Sequence, residues 1–305
     1  MNRKFYERIY NDDIIYHYTK ASTAIDYILR NKQLRFIKAV NSSDPIESIR
    51  AERSTFYNSI NSEKTNTIEH HDNVNDLHAT LEDLHQKFNQ ICFCKNTPSN
   101  ELTNEHDLYA TDYNEELFGY TKLRMWDQYS DRFKGVCIAF SKEKILNLNK
   151  KLDLIQGHIK YLKFNELKYN KVGNIQGDYL EKVGVHIYKQ EIESYLKKSF
   201  FYKHLDYSGE NEFRIGTLFE KETCDVEIVR DERIDNSLML DITGCIEAIF
   251  ISSFVNEKQR NELINYADTL NVELIEMVWK HNSFKAINYK DHRTFWKNIE
   301  KEALK

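Results

Sequence analysis

Proline and glycine are scarce, 2 and 9 in 305 residues, so collagen-like repeats, proline-rich stalks and glycine-rich linkers are excluded. No Gly-x-Gly-x-x-Gly and no Gly-x4-Gly-Lys-Ser/Thr occurs, and the strand pattern does not recur in regular βαβ units, so dinucleotide-fingerprint and P-loop folds are excluded. Gly-x-Ser-x-Gly and His-Glu-x-x-His are absent as well, which removes the hydrolase elbow and the zincin motif. There is no run of 18 apolar residues, and the chain opens Met-Asn-Arg-Lys without an apolar leader; no membrane role is expected. The five cysteines lie far apart apart from Cys92 and Cys94, with no zinc spacing around them, so the expectation is a cytoplasmic protein with reduced thiols and no metal. His71, His78 and His85 recur every seven residues, but about 10 Å per seven helical residues is too far for one ion, and a polar helical stripe explains them better.

Basic charge is not in excess. The net charge of −5 argues against a protein that coats nucleic acid through a basic surface. The charge is uneven, however: residues 101–116 hold six acids and no Lys or Arg, whereas residues 142–171 hold eight Lys against three acids. Solvated faces account for both.

Aromatic residues are abundant, with 19 Tyr, 17 Phe and 3 Trp, and mean hydropathy is −0.67, as in a soluble globular chain. Apolar and β-branched runs predict strands at 13–19, 33–38, 90–95, 135–140, 152–162, 213–219, 226–229, 247–251 and 272–278. Helical spacing predicts helices up to Asn31, over 116–130, 180–203, 257–269 and 293–303. Without a linker to divide it, the chain reads as a single α+β domain over 1–305, with a helical and loop insertion at about 46–120 and a C-terminal helix at about 293–303. Polar loops are expected near 58–76 and 96–114.

Three patches set reactive groups inside apolar text. In Tyr16-His-Tyr-Thr19, His17 and Thr19 share one strand face and Tyr16 and Tyr18 the other; a hydrogen-bonded core histidine is the bland alternative. In Met125-Trp-Asp-Gln-Tyr129, the aromatics fall at helical spacing, which equally suits a core. In Glu210-Asn-Glu-Phe-Arg214, two carboxylates and a guanidinium alternate onto one face at a strand mouth, an arrangement that a structural ion-pair ladder would also produce.

Taken in order, Tyr16-His-Tyr-Thr19, Ser43-Asp-Pro-Ile-Glu47, Met125-Trp-Asp-Gln-Tyr129 with Lys134-Gly-Val-Cys-Ile-Ala-Phe140, and Glu210-Asn-Glu-Phe-Arg214 resemble the bacterial domain of unknown function 2971 family. The resemblance spans about residues 14–280, with Ser43, Ile46 and Phe213 where that family carries Asn, Phe and Trp. It implies kinship with ADP-ribosyltransferase-like folds of the His-Tyr-Glu type: an α+β fold with a split, curved β-sheet core and helical insertions, around a nucleotide cleft.

Carried over, the resemblance implies NAD as substrate. His17 would hold the adenosine-side ribose, with Tyr18 and Thr19 beside it. Trp126 or Tyr129 would stack on the nicotinamide or line the cleft, Glu212 would face the nicotinamide ribose, and Glu210 would act as general base for an acceptor. Lys203, Arg214 and Arg124 would meet the pyrophosphate, with Arg214 alternatively bracing Glu212. The implied activity is transfer of ADP-ribose to a macromolecular acceptor, protein or nucleic acid, or hydrolysis of NAD, in a toxin or phage-defence effector. The alternative on the same fold is a non-catalytic nucleotide- or nucleic-acid-binding sensor or interaction protein.

Overall fold

A computed structural model describes residues 3–42, 44, 48, 54–56, 68–98, 115–169, 174–218, 230–231, 237–280 and 283–290. Most of the Ser43–Glu47 motif, the 226–229 strand and the 293–303 helix fall outside these residues.

Among the described residues, nine strands make one mixed sheet. They are β1 (Ile14–Thr19), β2 (Ile37–Lys38), β3 (Phe88–Lys95), β4 (Val136–Ser141), β5 (Ile155–His158), β6 (Glu212–Leu218), β7 (Ile246–Ser252), β8 (Glu273–Lys280) and β9 (Ser283–Asn288). The spatial order is β9-β8-β7-β4-β1-β3-β6-β5, with β2 also on β3. The molecule is thus α+β, and β3, inside the 46–120 stretch expected to be an insertion, is a central strand of this sheet. Within this sheet, among the described residues, only β7 and β8 are parallel neighbours, linked by the helix Glu257–Leu270. Asn256 caps that helix through Gln259 N–H, and left-handed Asn271 ends it.

The sheet parts in its middle. β1 and β3 pair at Ile15↔Lys95 and Tyr16↔Cys94 and then diverge, whereas β1 runs along β4 from Ile14↔Ser141 to Thr19↔Val136. β3 meanwhile stays on β6 from Glu212↔Cys94 to Leu218↔Phe88, and β2 takes its free edge at Gln90 and Asn89. Between these two pairings the Cys92 carbonyl faces the His17 imidazole, 3.0 Å away.

Both faces are covered, which explains why every residue of β4 is buried. One face carries Ile15, Phe93, Ile138, Phe140, Phe213, Ile215 and Ile249 beneath Ile25, Ile28, Leu240 and Leu263. The other carries Tyr16, Tyr18, Cys94, Cys137 and Phe250 beneath Phe5, Phe118, Tyr120 and Trp126. A β-carbon on Gly119 would lie 2.3 Å from the Tyr16 ring, so glycine there is what lets that ring seat.

Several expected elements differ. The 116–130 helix is two short 3₁₀ turns followed by the helix Leu123–Tyr129. The 180–203 helix is two helices, Gly177–Val183 and Val185–Ser199, broken at Gly184 (φ +81°), followed by the strand Tyr202–His204. Lys203 therefore sits on a strand, paired in parallel with Lys160–Leu162. Among the described residues no helix is long and apolar enough to cross a membrane.

Candidate functional site

Four buried charges meet at the mouth of β6. Glu210 ends the 3₁₀ segment Leu205–Glu210 and Glu212 opens β6, so the two are not consecutive alternating strand positions. Between them Asn211 is left-handed (φ +44°), a conformation Asn tolerates, and its side-chain amide donates to the Lys95 and Asn96 carbonyls at 3.0 and 2.9 Å. This kink turns both carboxylates onto one ammonium group. Lys203 Nζ lies 2.7 Å from Glu210 Oε2 and 3.1 Å from Glu212 Oε2.

Arg214 completes the cluster. Its Nε donates to Glu212 Oε1 at 2.5 Å, and its Nη1 donates to the Phe200 carbonyl at 2.7 Å and to Gln90 Oε1 at 3.2 Å. The backbone N–H of Glu212 donates to Tyr161 Oη at 2.8 Å. Lys203 Nζ also stands 4.5 Å from the Tyr207 ring centre, and Arg124 lies over the same ring at 5.2 Å. Two cations balance two anions, and none of the four residues is more than 5% exposed. Burial pushes the Glu212 carboxyl up, but the Arg214 guanidinium bonded to it, Lys203 and the Cys92 thiol outweigh burial and hold it below the usual carboxylate range.

Two groups connect this cluster to solvent. Tyr129, 42% exposed, donates its hydroxyl to Glu210 Oε1 at 3.1 Å; burial and the Glu210 carboxylate push the phenol up, so it stays protonated as a donor. Cys92 is exposed although it lies on a central strand, opposite Arg214 in register, and its thiol hydrogen-bonds Glu212. Sequence reasoning missed Cys92, Gln90 and Tyr161, which long-range packing brings to β6, and Tyr207, in the 3₁₀ segment just before it, whose ring meets Lys203. Asn211, flanked by two glutamates, carried the one local signal of a kink.

The structure thus joins Tyr129, Lys203, Glu210, Glu212 and Arg214, and sets the other expected residues apart. Trp126 is fully buried; its indole N–H donates to the Tyr120 carbonyl at 2.7 Å and its ring meets Tyr18 edge-on at 5.3 Å. It is a core residue with no face left for a ligand. Tyr18 is buried too and donates to the Gly119 carbonyl at 2.7 Å. His17 and Thr19 fall on the Ile15 face by strand alternation, opposite the face carrying Glu212 and Arg214. His17 meets the Phe93 ring at 5.7 Å, and burial pushes its imidazole below the ordinary value. Arg124 donates to the Asp206 carbonyl at 2.6 Å.

A family model described as a protein of unknown function matches residues 125–215. The matching family is DUF2971. The match takes in Met125–Tyr129 and Glu210–Arg214, and it leaves out the Tyr16–Thr19 strand, so it is narrower than the resemblance over 14–280. The comparison with curated proteins gives no match, and neither does the comparison with solved structures. Among the described residues no group of three or more His, Cys, Asp or Glu is arranged to hold a metal ion.

Proposed function

We propose that this protein is an ADP-ribosyltransferase-like enzyme that consumes NAD, with Glu212 the carboxylate that acts at the nicotinamide ribose. The observation that carries the reading is that Glu212 is held ionised inside the protein yet lies one thiol away from solvent, beside the exposed Cys92. In NAD cleavage the bond from ribose C1′ to the nicotinamide nitrogen breaks, its electron pair goes to the nicotinamide ring, and C1′ takes on oxocarbenium character. A fixed anion aimed at C1′ stabilises that charge. The acceptor, water or a macromolecular hydroxyl, then bonds to C1′ and loses a proton. Tyr129 and Glu210 form the outward-facing pair suited to relay it.

The residues present fit this ligand in part. Lys203 is engaged with both carboxylates, and Arg214 with Glu212, Gln90 and the Phe200 carbonyl, so in this reading they position Glu210 and Glu212, and Arg124 is the better placed cation for the pyrophosphate. NAD depletion suits a toxin or phage-defence effector, and that is the setting proposed. The test is nicotinamide release from labelled NAD by the protein with cell lysate. Glu212→Gln is expected to lower it at least about a hundredfold with the fold retained. Tyr129→Phe, at an exposed position, is expected to slow acceptor capture. Release unchanged in both variants overturns the assignment.

A second reading is favoured by the closure of the ion cluster, in which every charge has an opposite neighbour at bonding distance. Such a cluster also suits a non-catalytic nucleotide- or nucleic-acid-binding module. Binding of NAD or nucleic acid without nicotinamide release would select it.

A further inference from the structure

On the face of β6 opposite Glu212, three basic side chains gather around one phenyl ring. Lys95 Nζ stands over the Phe213 ring at 5.6 Å from its centre, Lys142 Nζ at 5.7 Å, and the His158 ring meets it edge-on at 5.3 Å. They come from the end of β3, the residue after β4 and the end of β5, so the sheet itself assembles them.

Their negative partners are few. Lys95 is 5% exposed, yet the carboxylate beside its ammonium group is that of fully exposed Asp12, at 3.8 Å, beyond hydrogen-bond reach. Lys142 Nζ has a long contact of 3.4 Å with the Asp12 carbonyl. The neighbouring Asp13 carboxylate is engaged elsewhere, accepting from Ser141 Oγ at 2.5 Å and from the Glu143 N–H at 2.7 Å. Two ammonium groups and an imidazole gathered around one ring repel one another, and the burial of the Lys95 side chain lessens the screening of that repulsion. Burial and Lys142 push Lys95 below its ordinary value, against Asp12 and Asp13. Burial, Lys95 and Lys142 do the same to His158, against Asp12.

We propose that Lys95, Lys142 and His158 form an anion site that takes a phosphoryl group. A phosphate dianion supplies acceptor oxygens for three donors at once and converts their mutual repulsion into charge-assisted hydrogen bonds. Phe213 points to this face and Glu212 to the other, so the site is separate from the proposed NAD chemistry and its failure leaves that reading standing.

The test is the NMR titration of the His158 ring, assigned by comparison with His158→Gln, in inorganic phosphate and in chloride at matched ionic strength. Phosphate is expected to raise the His158 midpoint saturably, and Lys142→Gln, a half-buried surface change, to weaken the apparent affinity about tenfold with an unaltered thermal melt. Adenosine 5′-monophosphate is the second arm. Equal binding identifies free phosphate as sufficient, and tighter binding identifies a nucleotide phosphomonoester; both uphold the site. A His158 titration identical in phosphate and chloride, or saturation unaffected by Lys142→Gln, overturns it.

Discussion

The His17 imidazole Nδ1 lies 3.0 Å from the Cys92 carbonyl oxygen, at the place where β1 and β3 part. A strand carbonyl that loses its ladder partner must find another, and here a side chain of the diverging strand supplies it. The imidazole fills the notch and faces Phe93, so its first duty is to hold the split.

That duty has a pH signature. Burial lowers the His17 pKa in the folded protein, so the unfolded chain binds a proton more readily. Stability from this residue is fully present above the unfolded value of about 6.5 and is lost as pH falls from there toward the lower folded value. His17→Gln, which can keep the bond to Cys92, should flatten the stability slope below about pH 6.5 in urea titrations. His158 is lowered as well and contributes with the same sign, so His158→Gln is the companion measurement. A slope unchanged by His17→Gln contradicts this role.

Lys203 holds two buried carboxylates, and its loss leaves Glu210 without a cation while Glu212 keeps Arg214. Lys203→Met should therefore cost about 3–5 kcal/mol in denaturant unfolding. Adding Glu210→Gln removes the stranded charge and should recover about 1 kcal/mol or more, a non-additivity expected of groups in direct contact. Strict additivity would mean that Lys203 acts through packing on Tyr207 rather than through charge.

What the sequence revealed and what it hid divide along physical lines. β4, β7 and the helix Glu257–Leu270 are legible because burial on both faces writes an unbroken apolar run and because Asn256 caps its helix locally. The meeting of Glu210, Glu212 and Arg214 was also legible from their closeness in sequence. The means was hidden: the left-handed turn at Asn211 and the strand placement of Lys203 depend on neighbours far away in the chain. Trp126 shows the converse limit. Its spacing suits a stacking platform and a core equally, and only the closing of Tyr18 and Tyr120 over it decides for the core.

Gly135 is fixed by close approach. A β-carbon there would stand 2.2 Å from the Thr19 carbonyl oxygen and 2.8 Å from the Ser130 Cα, both backbone atoms that cannot swing aside. The preceding residues Asp131, Arg132 and Phe133 are all left-handed, so the turn has little room to relax. Gly135→Ala should destabilise the protein by about 1–3 kcal/mol or more, read as a lower unfolding midpoint. A neutral substitution would mean that the β1–β4 junction is looser than these distances require.

Thiol chemistry separates the cysteines and probes the mouth of the cluster. Burial pushes the Cys94 and Cys137 thiols well up, and Cys245 up to about 11, so these three should resist alkylation in the native state. Cys92 is exposed and hydrogen-bonded to Glu212, so among the four cysteines in the described residues it should be carboxamidomethylated first, as read by peptide mass mapping. If Glu212 serves NAD, the ligand must pass over this thiol. Saturating NAD should then slow Cys92 labelling, and Cys92→Ser should remain active while losing the modification. Labelling of Cys92 at one rate with and without NAD would place the ligand's path elsewhere and remove the observation on which the NAD reading rests.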